Sequence, residues 1–213
     1  MNSYNLRILF IRHAESQANT TPDIIVGRQA ESQLTQLGKE QAQLLGQRLQ
    51  NISNPYIYSS DLIRSIQTAN IAIPEALQNT IKIIPELQEF TNGDWDGKKR
   101  QDIYTDEQLK KINTAGYLFT PPNGESQRMV QRRASNWLED EILYNSKFQG
   151  KEEKTILIFS HGLVIKTLLH YILGFSDRYI YRFKLDNTGI CEFRYTEEGW
   201  FPIAINDTKH LIK

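Results

Sequence analysis

Cysteine is almost missing from this chain: of 213 residues only Cys191 carries a thiol. One thiol closes no internal disulfide and builds no Cys-rich metal cluster. In an apolar stretch late in the chain it reads as a small buried side chain rather than a nucleophile. An excess of charge of either sign is missing as well. Lys+Arg 25 balance Asp+Glu 25, without a basic run or an acidic tail. Nucleic acid and anionic membrane surfaces are therefore not expected partners, and any attraction for an anion has to be local. No stretch approaches the roughly 18 uninterrupted apolar residues of a membrane span, and the chain start shows no basic region leading into a long apolar one. A soluble, cytoplasmic protein is the expectation. Asn19-Thr20-Thr21, Asn51-Ile52-Ser53 and Asn206-Asp207-Thr208 match a glycosylation pattern but carry no weight without a secretory signal. Internal repeats and low-complexity tracts are also lacking.

The hydrophobic content of 39% is enough, at this length, to bury the core of one sizeable domain spanning 1–213. Apolar β-rich runs at 7–11, 56–59, 81–84 and 155–160 alternate with segments of helical periodicity. That alternation predicts an α/β fold, a three-layer sandwich whose mostly parallel sheet is covered on both faces. Leu37, Leu44, Leu45 and Leu49 mark one helical face, with Thr35 as its N-cap. Met129, Val130, Trp137, Leu138 and Leu143 mark a second; Leu163, Val164, Leu168, Leu169, Ile172 and Leu173 mark a third that ends at Gly174. Between Gly97 and Gly124 the chain turns polar and helical over 102–113, then irregular through Tyr117-Leu118-Phe119-Thr120-Pro121-Pro122. An insertion of this length in a compact domain predicts a small cap, about 98–123. From Tyr181 to Ile205 aromatic and polar residues alternate, predicting one or two further strands with Glu197-Glu198-Gly199 as a turn.

The chemistry is concentrated where the apolar runs end. Arg12-His13-Ala14-Glu15-Ser16 follows Ile8-Leu9-Phe10-Ile11, so an imidazole flanked by a guanidinium stands at the carboxyl end of a buried strand, the edge at which open α/β sheets place their sites. That pair suits attack on a phosphoryl group whose charge the arginine holds. Similar junctions recur at Ser59-Ser60-Asp61-Leu62-Ile63-Arg64, at Leu87-Gln88-Glu89-Phe90 leading to Gly93-Asp94-Trp95-Asp96-Gly97, and at Phe159-Ser160-His161-Gly162. In this order and context they resemble the histidine phosphatase superfamily, from Arg7 nearly to the C-terminus. Gly27-Arg28, Leu34-Thr35-Gln36-Leu37-Gly38, Gly124-Glu125-Ser126, Asp186-Asn187-Thr188 and the run from Asn206 to Leu211 extend the likeness.

The resemblance implies a phosphatase or mutase working through a phosphohistidine on a small phosphorylated substrate, with no cofactor and no metal. His13 becomes the nucleophile. Arg12, Arg64 and His161 hold the phosphoryl oxygens, and Glu89 protonates the leaving alcohol, with Glu86 its weaker competitor. Ser16, Asn19, Gly27 and Gly162 become phosphate or substrate contacts, although Ser16 or Asn19 could equally cap the loop. On physical grounds the two arginines should hold His13 neutral, and a guanidinium fork suits the equatorial oxygens better than an ammonium. His170 and His210 read as structural, and Glu15 has no assigned task. Ala14 stands where the family usually has glycine. The mutases of the family carry an arginine after the acid, an arginine pair in the cap and asparagine after the His-Gly pair. This chain has Phe90 after Glu89, Lys98, Lys99, Arg100, Lys110 and Lys111 in the cap but no arginine pair, and Leu163 after Gly162. With Tyr117, Leu118 and Phe119 these imply a more apolar pocket and favour hydrolysis over mutase activity. An inactive ligand-binding relative would be expected to have lost His13, Glu89 or His161.

Overall fold

The computed structural model describes residues 3–212. Four parallel strands, β1 (Asn5–Arg12), β2 (Tyr56–Ser59), β3 (Lys82–Ile83) and β4 (Lys154–Ser160), are joined by two antiparallel ones, β5 (Ile190–Thr196) and β6 (Gly199–Asp207). They form one sheet in the order β3-β2-β4-β1-β5-β6. The helices are α1 (Gln36–Leu49), α2 (Ile63–Ala72), α3 (Glu75–Gln78), α4 (Arg100–Ile103), α5 (Asp106–Ala115), α6 (Gln127–Leu138) and α7 (Gly162–Leu173).

The layers follow from the two-residue alternation of strand side chains. Leu6, Ile8 and Phe10 of β1, with Ile156 and Ile158 of β4, face Val130, Ala134 and Leu138 of α6 and Val164, Ile165 and Leu168 of α7. Leu9, Ile11, Leu157 and Phe159 point the other way, onto Leu45 and Leu49 of α1 and Ala69 and Ala72 of α2. Cys191 is fully buried in the first of these cores.

The strand runs and turn of the sequence reading reappear within a residue or two, except that the third strand shrinks to two exposed residues. Three residues expected on buried helical faces are exposed. Leu37 is 50% exposed and Met129 49%, and Leu173 is exposed as well. In α1 the inward positions are Gly38, Ala42, Leu45 and Leu49. Gly38 faces inward because an added Cβ would lie 1.9 Å from the Glu15 carbonyl oxygen, so this turn of helix packs directly on the loop after β1. Thr35 caps α1 through Gly38 N, and Gly174 ends α7 in the left-handed conformation. The helix expected over 102–113 is divided at Tyr104 and Thr105 into α4 and α5. Among the described residues no helix is long and apolar enough to cross a membrane.

Candidate active site

Strands β2, β4 and β1 are neighbours, run parallel and therefore end together, delivering Ser60, His161 and Arg12-His13 to one edge. The backbone closes this edge. His13 N donates to Ser160 O (2.9 Å), Ser60 N to Phe159 O (2.9 Å), and Thr188 N to Arg12 O (3.1 Å). Thr188 holds φ +57, an uncommon value for a β-branched residue, and its hydroxyl is 2.9 Å from His210 Nε2.

His13 is buried, and its Nδ1 lies 2.7 Å from the carbonyl oxygen of Ala14. A carbonyl only accepts, so Nδ1 carries the proton and Nε2 keeps its lone pair. Burial, with Arg64 and Arg12 nearby, lowers the His13 pKa well below its ordinary value. The ring is neutral at pH 7. Ala14 itself is buried against Leu34 and Ala42, with an ordinary negative φ.

Arg64 occupies the first turn of α2. Its guanidinium donates to the carbonyls of Gly27 (3.1 Å), Arg28 (3.0 Å) and Gln29 (3.0 Å), which fixes the plane of the fork. Arg12 donates to Leu185 O (2.6 Å), while its buried Nε has no partner among the described residues. An unpartnered buried donor is unfavourable unless a ligand takes the bond.

The His161 ring lies 5.1 Å, centroid to centroid, from that of His13. Its Nε2 is 2.8 Å from Ser60 Oγ, and its buried Nδ1 has no partner. Ser60 Oγ accepts from Leu62 N (3.3 Å) and keeps a hydrogen of its own to donate. With that hydrogen on Nε2, His161 carries its proton on Nδ1 and offers it as a donor. Burial and the surrounding cations lower its pKa well below the ordinary histidine value too.

Glu89 reaches the same edge from the loop beyond β3. Its Oε1 accepts from Phe90 N (2.9 Å) and its Oε2 from Leu163 N (3.3 Å), at the N-terminus of α7, where helix N–H groups favour an anion. Its carbonyl is gripped by Arg28 Nε (3.1 Å) and Arg133 Nη2 (3.3 Å). Those two arginines are bridged by Glu125, at 3.0 Å from Arg28 and 2.9 Å from Arg133. Glu86, by contrast, is an exposed residue whose carbonyl also accepts from Arg133.

Ser16, Asn19, Gly27 and Gly162 are placed around this group. Ser16 N and Oγ both donate to Asn19 Oδ1 (3.0 and 3.2 Å), a capping arrangement, while Asn19 is itself exposed. Gly27 gives its carbonyl to Arg64 and cannot carry a side chain, since a Cβ would stand 2.6 Å from Asp96 Oδ1. A Cβ on Gly162 would stand 3.5 Å from Arg12 Nε.

Several contributors were not assigned from sequence. Ser60, Glu125 and Arg28 lie inside quoted motifs, but their bonding depends on strand order. Arg133, seven residues into α6, gave no local signal. Glu15 joins the site loop to α1 by accepting from Thr35 N (3.0 Å) and Thr35 Oγ1 (2.7 Å). Lys166, one turn into α7, is half-buried; burial and Arg12 lower its pKa against the opposing pull of Glu89. Of the residues expected to make an apolar pocket, Phe90 and Phe119 line one cavity, while the Tyr117 ring is tilted against that of His170 and Leu118 is exposed. Among the described residues no three His, Cys, Asp or Glu side chains gather as a metal ion would require.

A neutral imidazole lone pair, two guanidinium groups, a second imidazole and a carboxylate are brought to one sheet edge, a set of groups suited to phosphoryl chemistry. The chain belongs to the histidine phosphatase superfamily (branch 1), whose family model matches residues 8–208. It is 30% identical over 215 aligned positions to the Yersinia pestis (strain Pestoides F) protein named "Probable phosphoglycerate mutase GpmB", covering 97% of this chain and 95% of that one. A phosphoserine phosphatase mutant from Entamoeba histolytica, solved in complex with phosphoserine, superposes with TM-score 0.81 at 26% identity, covering 97% of this chain and all of the other (100%). The alpha-ribazole phosphatase of Shigella flexneri gives TM-score 0.80 at 26% identity, over 94% of this chain and 96% of that one.

Proposed function

We propose that the protein is a cytoplasmic, metal-independent phosphomonoester hydrolase that passes the phosphoryl group through His13. The observation that carries this reading is the His13 ring itself: buried beside two arginines, kept neutral, with Nδ1 tied to a carbonyl and Nε2 free. Nε2 attacks phosphorus and forms the P–N bond as the ester P–O bond breaks. The departing oxygen takes a proton from Glu89. Arg12 Nε, Arg64 and His161 Nδ1 hold the equatorial oxygens through charge spreading in the transition state. Water then attacks the phosphohistidine; its proton returns to Glu89, the P–N bond breaks and inorganic phosphate leaves. In this scheme Glu125 and Arg133 position the acid, Gly27 positions Arg64, and segment 98–123 serves as a cap on a single domain.

The phosphoserine and ribazole phosphatase relatives support hydrolysis, and the Yersinia relative supports a second reading, a phosphoglycerate mutase. Phe90 next to the acid and Leu163 after Gly162 favour the first. The test is rapid-quench turnover with EDTA present. An acid-labile, base-stable phosphoryl adduct is expected on His13, and His13→Ala should lose about 10³-fold or more in rate. Label on His161 alone, or activity abolished by EDTA and restored by a divalent ion, would overturn the scheme. Phosphoryl transfer between bisphosphoglycerate and 3-phosphoglycerate outpacing release of phosphate would establish the mutase instead.

A further inference from the structure

A cavity of about 300 Å³ opens beside the acid, walled by Phe90, Trp95, Tyr104, Phe119, Tyr181 and Arg100. Its wall is continuous with the site. Phe90 lines the cavity and also donates its N–H to Glu89 Oε1, and its carbonyl oxygen lies 2.7 Å from where a Gly27 Cβ would stand, against the loop that holds Arg64. Phe90, next to the acid, is the residue that the cavity and the candidate site share. Trp95 and Phe119 lie nearly parallel, with ring centroids 5.6 Å apart and planes at 29°, while Tyr104 meets Trp95 edge-on at 6.2 Å and 85°. Trp95 is buried and fixed, and Phe119 and Tyr104 are half-exposed and still have ring surface to offer.

The wall is poor in what other alcohols need. A polyhydroxylated group requires several convergent donors and acceptors, and on this wall Asn92 Nδ2 already donates to Asp96 Oδ1 (2.8 Å). Arg100 packs over the Tyr104 ring at 4.9 Å and extends the aromatic wall. The volume of about 300 Å³ admits one ring or two fused rings.

We infer that this cavity takes the alcohol of the substrate and selects a planar aromatic group, seated by offset stacking and edge contacts with Trp95, Tyr104 and Phe119. The inference rests on the phosphomonoesterase reading and narrows it to phosphate esters of aromatic-bearing alcohols. The test compares kcat/KM for 2-phenylethyl, 2-cyclohexylethyl and n-propyl phosphates and for phosphoserine. The first three have leaving alcohols of similar basicity, so differences report the pocket and not the chemistry. The phenylethyl ester should exceed the propyl ester by about 10- to 100-fold, the range one well-filled apolar subsite supplies. It should also exceed the cyclohexyl ester. Phe119→Ala should lower the phenylethyl-to-propyl ratio, and Phe119→Leu, a variant that keeps the cavity filled, should bring the phenylethyl-to-cyclohexyl ratio towards unity. Equal rates for phenyl and cyclohexyl esters would overturn aromatic selection, and a preference for phosphoserine or propyl phosphate would overturn the assignment of the cavity. If even p-nitrophenyl phosphate is not hydrolysed, the hydrolase reading itself fails. Calorimetric binding of 2-phenylethyl against n-propyl phosphate then decides the cavity by the same criterion.

Discussion

Each histidine of the candidate site is held by one hydrogen bond at one nitrogen, which leaves the other for a ligand. Ala14 O holds Nδ1 of His13 and leaves Nε2; Ser60 Oγ holds Nε2 of His161 and leaves Nδ1. In the proposed scheme the first ring presents a lone pair and the second, with the Ser60 hydrogen on its Nε2, presents an N–H. Ser60→Ala should release His161 to the other tautomer, turning a lone pair toward the phosphate. A loss of about 10- to 100-fold in kcat/KM is expected, the range of a hydrogen bond to a charged group. Nitrogen-15 NMR of labelled histidine should show the proton moving from Nδ1 to Nε2 in Ser60→Ala and staying in Ser60→Thr. A tautomer indifferent to Ser60→Ala would remove Ser60 from this role. Residue types were legible in the sequence at this scale: His13, Arg64 and His161 are each announced by a strand run that stops. Which nitrogen each ring presents was not, because Ser60 meets His161 only through the β2-β4 pairing, 101 residues apart in sequence.

Among the elements, the segment bearing Glu89 has no regular structure of its own, and its order comes from α6. Arg133, with Arg28, holds the Glu89 carbonyl, and Glu125 ties the two cations together. Arg133→Met should leave Glu125 paired with Arg28 but loosen the carbonyl. The expected result is a kcat about 10-fold lower for an alkyl phosphate with KM little changed, because a misplaced proton donor affects the departing alkoxide and not ground-state binding. An aryl phosphate with an acidic phenol should be hardly slowed in single-turnover cleavage, whereas general loss of structure would slow both; equal slowing would assign Arg133 to stability alone. Helix boundaries were legible at this scale where capping chemistry is local, as at Thr35 and Gly174. Helix faces were not always so. Leu37 and Met129 are apolar at helical spacing yet exposed, since burial of those turns was decided by the close approach of Gly38 to Glu15 and by the position of α6 on the sheet. Hydrophobic periodicity carries no information about either.

For the molecule as a whole, the parallel α/β architecture was legible in the alternation of strand runs and helical segments, while the strand order that gathers the site was not. That order places two ionisable rings in the interior, and the fold must tolerate them neutral. His13 and His161 have pKa values well below the ordinary histidine value, and His210 is lowered as well, in each case first by burial. Their effect on stability has a definite sign. Above about pH 6.5 the rings are neutral both folded and unfolded and contribute no pH dependence. As pH falls below that value the unfolded chain binds protons that the native state refuses, so stability declines with falling pH. Each strongly depressed histidine should remove about 1 kcal/mol between pH 6.5 and 5.5, hence about 2 kcal/mol for His13 and His161 together. Carboxylates with lowered values, Asp186 and Asp207, act in the same direction but only near and below pH 4. Urea unfolding of the whole chain at pH 7.5, 6.5 and 5.5 separates the contributions, using the double variant His13→Asn with His161→Asn. The wild type should lose stability steadily through this range, and the double variant should retain only the shallower dependence left by the remaining histidines. Parallel curves for the two proteins would mean that the site histidines accept protons in the folded state, and would remove the neutral, nucleophilic His13 on which the phosphoryl-transfer scheme depends.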